Sequence, residues 1–131
     1  MTYKEEAIKL HKKGCNCAQS VVLAFKDHID IDEETLYKIT EAYGVGMGCQ
    51  EGTCGAISGA LLIASYLNSG GIGSKTKAKT YQVAKEIVNG FKEETGTIIC
   101  KELKKPNSKS YTSCDKCIAM ACDLLENKLG L

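Results

Sequence analysis

With 131 residues and a mass of 14.1 kDa, the chain has the length of one compact domain that buries its own core. Its 44% hydrophobic and 25% charged residues exclude disorder and fibrous architectures. The 17 cations, all lysine, stand against 16 carboxylates for a net charge of +1, which offers no electrostatic grip on nucleic acid or anionic lipid, and the absence of arginine removes the planar fork that commonly holds phosphate.

Residues 1–14 are charged and lack the apolar stretch of an export signal, and no apolar run reaches the roughly 18 residues of a membrane span. A cytoplasmic protein without membrane contact is expected. Eight cysteines in such a chain are then a functional signal, because structural disulfides are rare in a reducing compartment.

Thr2 followed by Glu5 is a capping-box pattern, and Ala7, Ile8 and Leu10 give a short first helix that Gly14 ends. Asn16 is placed to cap a second helix, running to about Asp27, with Ala18, Val21, Val22 and Phe25 at helical spacing and with Cys15 and Cys17 at its start. Asp32 is placed to cap a third, carrying Leu36, Ile39, Ala42 and Tyr43 up to Gly44.

The segment Gly44 to Gly52 holds four glycines in nine positions, too many for regular helix, and offers free backbone N–H groups to a ligand. Thr53 is the expected cap of the next helix, Gly55 to Leu67. That helix is apolar nearly all round, with small residues along its first half that allow close approach of neighbours. Ser74 is the expected cap of a long helix whose Ala78, Tyr81, Ala84, Ile87, Val88 and Phe91 form one stripe, ending near Gly96; Lys75, Lys77 and Lys79 form a solvated face. A short helical turn over Thr97 to Lys105 brings in Cys100, and Ser113 caps a last helix that Gly130 closes. No stretch alternates as a strand does. The expected fold is all-α, a single bundle of five to six helices.

Cys15, Cys17, Cys54, Cys114 and Cys117 all fall in or just before the first turn of an expected helix, where unpaired N–H groups and the helix dipole favour the thiolate. Thiolates bind metals, attack disulfides and meet oxidants. Cys114 and Cys117 are spaced C-x-x-C, which puts both sulfurs on one helix face, a spacing shared by zinc sites, iron–sulfur ligation and dithiol enzymes. Cys49 and Cys54 form a C-x4-C pair, but the contiguous ferredoxin signatures are absent. Cys122, inside an apolar helix, is expected in the core. His11 and His28 are single and take no assigned role, and Glu51 is a weak candidate for tuning Cys54. No phosphate-binding loop, dinucleotide fingerprint, G-x-S-x-G or H-E-x-x-H is present.

The segments N-C-A-Q-S-V at 16–21, G-M-G at 46–48 and C-G-A-x-x-G at 54–59 resemble the redox-active C_GCAxxG_C_C family of bacteria and archaea, over nearly the whole sequence. The resemblance implies four characteristic cysteines: Cys17, Cys54, Cys100 and Cys117, with Cys114 competing for the last place. Cys15, Cys49, Cys114 and Cys122 are additional to it. It also implies redox activity, with an iron–sulfur cluster or another metal as prosthetic group, and supplies a chemical class but no substrate.

The leading expectation is a redox protein that transfers electrons through a metal or iron–sulfur centre, or cycles between dithiol and disulfide, at Cys17, Cys54, Cys100 and Cys117. Backbone around Gly48 and Gly55 would then face the bound group. The first alternative is a thiol oxidoreductase with Cys54 as nucleophile and Cys17 as the second candidate catalytic residue; the other is a non-enzymatic protein with a structural zinc site. The partner expected is a redox protein, with room for a homodimer and no role for nucleic acid.

Overall fold

A computed structural model describes residues 1–131. Seven helices are formed: α1 (Tyr3–Lys12), α2 (Cys17–Ala24), α3 (Glu33–Thr40), α4 (Gly55–Asn68), α5 (Lys77–Thr95), α6 (Cys100–Leu103) and α7 (Cys114–Leu129). The all-α class is as expected, while the expected count of five to six is one short, since the short turn expected over Thr97 to Lys105 stands as a helix of its own, α6, before Pro106. No helix is long and apolar enough to cross a membrane.

The helix starts follow local chemistry. Thr2 and Glu5 form a complete capping box, the Thr2 hydroxyl accepting from the Glu5 N–H and the Glu5 carboxylate accepting from the Thr2 N–H. Asn16 and Gln19 do the same for α2, each bond 2.9 Å long. Asp32 caps α3 and Ser113 caps α7. Helix α2 is shorter than expected: it stops at Ala24, and the chain continues as a 3₁₀ turn over Lys26–His28.

Two expected caps are corrected. Thr53 does not cap α4: it pairs with Ile99 in an isolated antiparallel bridge, and Cys54 takes the cap position. Ser74 does not cap α5, which begins three residues later, after Thr76, whose hydroxyl accepts from the Gly70 N–H and so closes the preceding loop instead. In consequence Ala78 and Tyr81 are exposed, and the buried side of α5 begins with Val83 and Ala84 and deepens at Ile87 and Phe91.

Helix α2 lies at the centre, against α1, α3, α4 and α7, and α5 covers α4 and α7 from the other side. One continuous core links Val21, Val22 and Phe25 of α2 and its C-cap, Ile57 and Ile63 of α4, Ile87 and Phe91 of α5 and Ile118 and Leu125 of α7. Tyr3 stacks on Phe25 with ring centroids 4.2 Å apart and reaches His28 Nε2 through its hydroxyl at 2.5 Å. His28 is thereby tied into packing.

Helices α2 and α4 cross closely, and glycine makes this possible. A Cβ on Gly59 would stand 2.8 Å from the Ala18 carbonyl oxygen and 3.2 Å from Val21 Cβ; one on Gly55 would stand 2.8 Å from the Tyr43 carbonyl oxygen and 3.3 Å from Cys17 Cβ. The spacing of four residues sets both glycines on the same face of α4. The start of α2, with Cys17, is therefore pressed against the start of α4, beside Cys54.

Candidate thiol site

Cys17, Cys100 and Cys114 open α2, α6 and α7, and Cys54 occupies the cap of α4. These four helix starts meet around one cavity of about 250 Å³, lined by all four cysteines together with His11, Asn16, Gly46, Gly55 and Lys104. Cys117 lies one helical turn along α7 from Cys114, fully buried, with its thiol donating to the Thr112 carbonyl at 3.9 Å and its sulfur beside that of Cys54. All four cysteines implied by the family resemblance, and Cys114 besides, thus come together.

The remaining three stand apart. Cys122 is buried in the core, where loss of solvent and the nearby Asp123 and Glu126 carboxylates push its thiol up to about 12. We expect Cys122 to stay unalkylated in the native reduced protein at pH 8 while the site thiols react, as read by mass mapping after an iodoacetamide pulse. Cys49 is exposed on the glycine loop. Cys15 is half-buried, and burial together with Glu33 raises its pKa. Its place before a helix does not outweigh those two effects.

The sulfurs influence one another as two neighbouring pairs, Cys17 with Cys114 and Cys54 with Cys117. Cys17 donates its thiol hydrogen to Cys114, which with help from Lys104 and His11 brings Cys114 down to about 5 while Cys17 is driven up. The Cys117 thiol beside Cys54, and then the Ala56 and Ile57 N–H groups of α4, bring Cys54 down to about 7 against its own burial, while the same neighbour contact and burial drive Cys117 up. Backbone N–H groups at a helix start thus favour the thiolate at Cys54, whereas Cys114 is lowered by Cys17, Lys104 and His11 and not by its place in the helix. At Cys17 and Cys117 the expected thiolate fails, because the neighbouring sulfur and burial drive both up. Cys100 is raised, chiefly by burial and then by the charge on Cys54.

Lys104, the C-cap of α6, is the cation common to both pairs. Its Nζ donates to the Thr112 carbonyl at 2.7 Å and faces Cys117 Sγ at 3.9 Å. Burial lowers its pKa, but the neighbouring sulfurs of Cys117, Cys114 and Cys54 outweigh that and the net shift is upward. It stays an ammonium ion at neutral pH.

No local feature of the sequence marks His11. The last turn of α1 brings it to the cavity rim, where one ring nitrogen and the sulfurs of Cys17 and Cys114 lie within 4.8 Å of one another, a group able to hold a metal ion. Only the packing of α1 against α7, more than a hundred residues later, reveals it. Glu51 pairs with Lys101 at 3.5 Å, both side chains exposed, and makes no hydrogen bond to Cys54.

The glycine loop forms the cavity's outer wall. Val45 and Gly46 line it; a Cβ on Gly46 would collide with Cys100 Cβ, so glycine lets Cys100 come in close. Gly48 is exposed, in a left-handed conformation, and does not line the cavity; Gly55 does, at the contact between α2 and α4. The loop is stitched to α6 by Cys100 N–H to the Gly52 carbonyl at 3.0 Å and Lys101 N–H to the Gln50 carbonyl at 2.9 Å.

Val45 adopts φ +54°, a left-handed conformation that costs a β-branched residue roughly 1–2 kcal/mol. Its side chain is 54% exposed, so little packing is lost on removal. Val45→Gly is expected to raise stability by about 1 kcal/mol, read as a higher denaturant midpoint at unchanged slope.

No curated protein and no solved structure matches the chain. The family model described as "Putative redox-active protein (C_GCAxxG_C_C)" matches residues 15–128, from just before α2 to the end of α7. That span holds all eight cysteines, the two cavity glycines and Lys104, and by this match the chain belongs to the C_GCAxxG_C_C family.

Proposed function

We propose that the protein carries electron pairs as a two-dithiol relay, with Cys17–Cys114 as its more exposed pair and Cys54–Cys117 as its buried pair. The observation that carries this reading is the gathering of sulfurs at one cavity, lined by Cys17, Cys54 and Cys114, with the Cys17 and Cys114 sulfurs within 4.8 Å of each other. The lowered pKa of Cys114 and Cys54 supports it.

Cys114 is half-exposed and Cys54 is buried, so Cys114 is the sulfur that meets an incoming disulfide. Its thiolate attacks one sulfur of that disulfide, and the other leaves as a thiolate. Cys17 then gives up its proton and attacks Cys114 Sγ, forming the Cys17–Cys114 disulfide and releasing the second substrate thiolate. Two electrons have passed to the substrate.

The inner pair restores the outer one. Cys54 attacks Cys17 Sγ, Cys114 leaves as a thiolate, and Cys117 attacks Cys54, passing its proton to the released Cys17. The inner pair becomes the disulfide and the outer pair is reduced again. Lys104, shared by both, steadies whichever sulfur is ionised.

The test is treatment of the reduced, metal-free chain with a small-molecule disulfide, then alkylation and mass mapping of linked peptides. The links expected are Cys17–Cys114 first and Cys54–Cys117 at longer times. Oxidation confined to exposed Cys49, or links that join neither pair, overturns the relay.

A second reading is supported by Cys17, Cys54 and Cys100 lining one cavity with Cys117 beside Cys54: thiolates so gathered would suit an iron–sulfur cluster, which would supply one-electron transfer. Stoichiometric iron and acid-labile sulfide in anaerobically purified protein would select it over the relay.

A further inference from the structure

We propose that His11, Cys17 and Cys114 form a binding site for a single borderline divalent cation of the zinc type, and that occupation of this site blocks the Cys17–Cys114 disulfide. Three observations support it. The three ligand atoms lie within 4.8 Å of one another, so one ion reaches all of them with small side-chain movements. The site opens on the cavity, which leaves room for a further ligand. Behind the imidazole, the Asp115 carboxylate accepts a hydrogen bond from His11 Nδ1 at 3.1 Å.

That last contact is the one a ligand histidine typically makes. A carboxylate on Nδ1 fixes the tautomer with its proton there and leaves Nε2 as the lone-pair nitrogen. One imidazole and two thiolates suit zinc-type cations in preference to hard ions such as magnesium or calcium. The two negative sulfurs balance a divalent charge, and binding releases the Cys17 thiol proton to solvent.

The site is distinct from the four-cysteine set that the family pattern brings together. His11 precedes the matched residues 15–128, and Cys114 lies outside the pattern's four. It is also distinct from a closed structural site, since the ion would sit at an open rim. Because a sulfur lone pair given to a cation is no longer available for attack, metal and disulfide exclude each other at Cys17 and Cys114. This second half rests on the relay proposed above.

The test is anaerobic titration of the reduced full-length chain with cobalt(II), followed by zinc(II) competition. The expected result is one cobalt per chain, with thiolate-to-cobalt charge-transfer absorption that zinc abolishes. His11→Ala should weaken binding by about 100-fold or more, and Asp115→Asn, at a half-exposed side chain that touches no metal, by about 10-fold. Cys54→Ser should bind as the parent does. Zinc should also slow alkylation of Cys17 and Cys114 while leaving Cys49 unchanged.

Binding that survives His11→Ala undiminished, binding lost in Cys54→Ser with circular dichroism intact, or no thiolate–cobalt absorption at all overturns the site. The titration involves no oxidation, so its failure leaves the peptide-mapping test of the relay untouched, and failure of the relay leaves the titration standing.

Discussion

Cys114→Ser is expected to remove the thiol that reacts fastest at neutral and mildly acidic pH. In the metal-free reduced protein, alkylation of Cys114 should follow a titration with midpoint near 5, since the Cys17 thiol, Lys104 and His11 hold the sulfur ionised down to about that value. A second phase with midpoint near 7 belongs to Cys54 and is slower because that sulfur is buried. The serine variant should keep only the second phase, and its reduction of a small-molecule disulfide at pH 6 should fall by at least about 100-fold, because no ionised sulfur then stands at the rim. Lys104→Met should move both midpoints upward. An unchanged fast phase in Cys114→Ser sinks this assignment.

Stability follows the same protons. A Cys114 whose pKa is about 5 in the folded chain and 9.0 in the unfolded chain contributes stability that is complete above 9.0 and lost as pH falls through 5. Cys17, raised above 9.0 in the folded chain, contributes in the opposite sense: its share is present below 9.0 and lost at higher pH. The reduced protein should therefore gain stability from pH 5 to pH 9 and lose it above. Cys114→Ser should flatten the part between pH 5 and 7, leaving the rise from 7 to 9 that Cys54 supplies.

Much of the scaffold is legible in the sequence because its signals are local. The Thr2–Glu5 box, the Asn16, Asp32 and Ser113 caps and the Gly96 and Gly130 stops are each settled by two or three neighbouring residues. Thr53 and Ser74 mislead because a cap is a competition: Thr53 is drawn into pairing with Ile99, and Thr76 serves the loop before α5. The site is only half legible. That cysteines gather at helix starts can be read directly, but which sulfur faces which depends on contacts spanning nearly the whole chain. Cys17 meets Cys114, and Cys54 meets Cys117, so the C-x-x-C residues of α7 serve two different partners instead of each other. His11 gives no local signal at all; its function as a candidate ligand exists only where α1 and α7 touch.

Gly59→Val is expected to be the most disruptive single change on the scaffold, lowering stability by about 3 kcal/mol and the midpoint of thermal unfolding by roughly 10 °C. The first added carbon would stand 2.8 Å from the Ala18 carbonyl oxygen, and a β-branched side chain would extend further into Val21. Neither neighbour has room to yield, because Ala18 and Val21 are both fully buried on the central helix. The only relief is for α2 to move off α4, and Cys17 sits at the end of α2 that would move. Gly59→Val should therefore lose the Cys17–Cys114 link in oxidative mapping at temperatures where circular dichroism still reports helix. Gly59→Ala is the milder control: its overpacking of about 1–3 kcal/mol is partly offset by about 1 kcal/mol of helix propensity. If Gly59→Val melts as the parent does and still forms that link, the close crossing of α2 and α4 is not what sets the sulfurs in place.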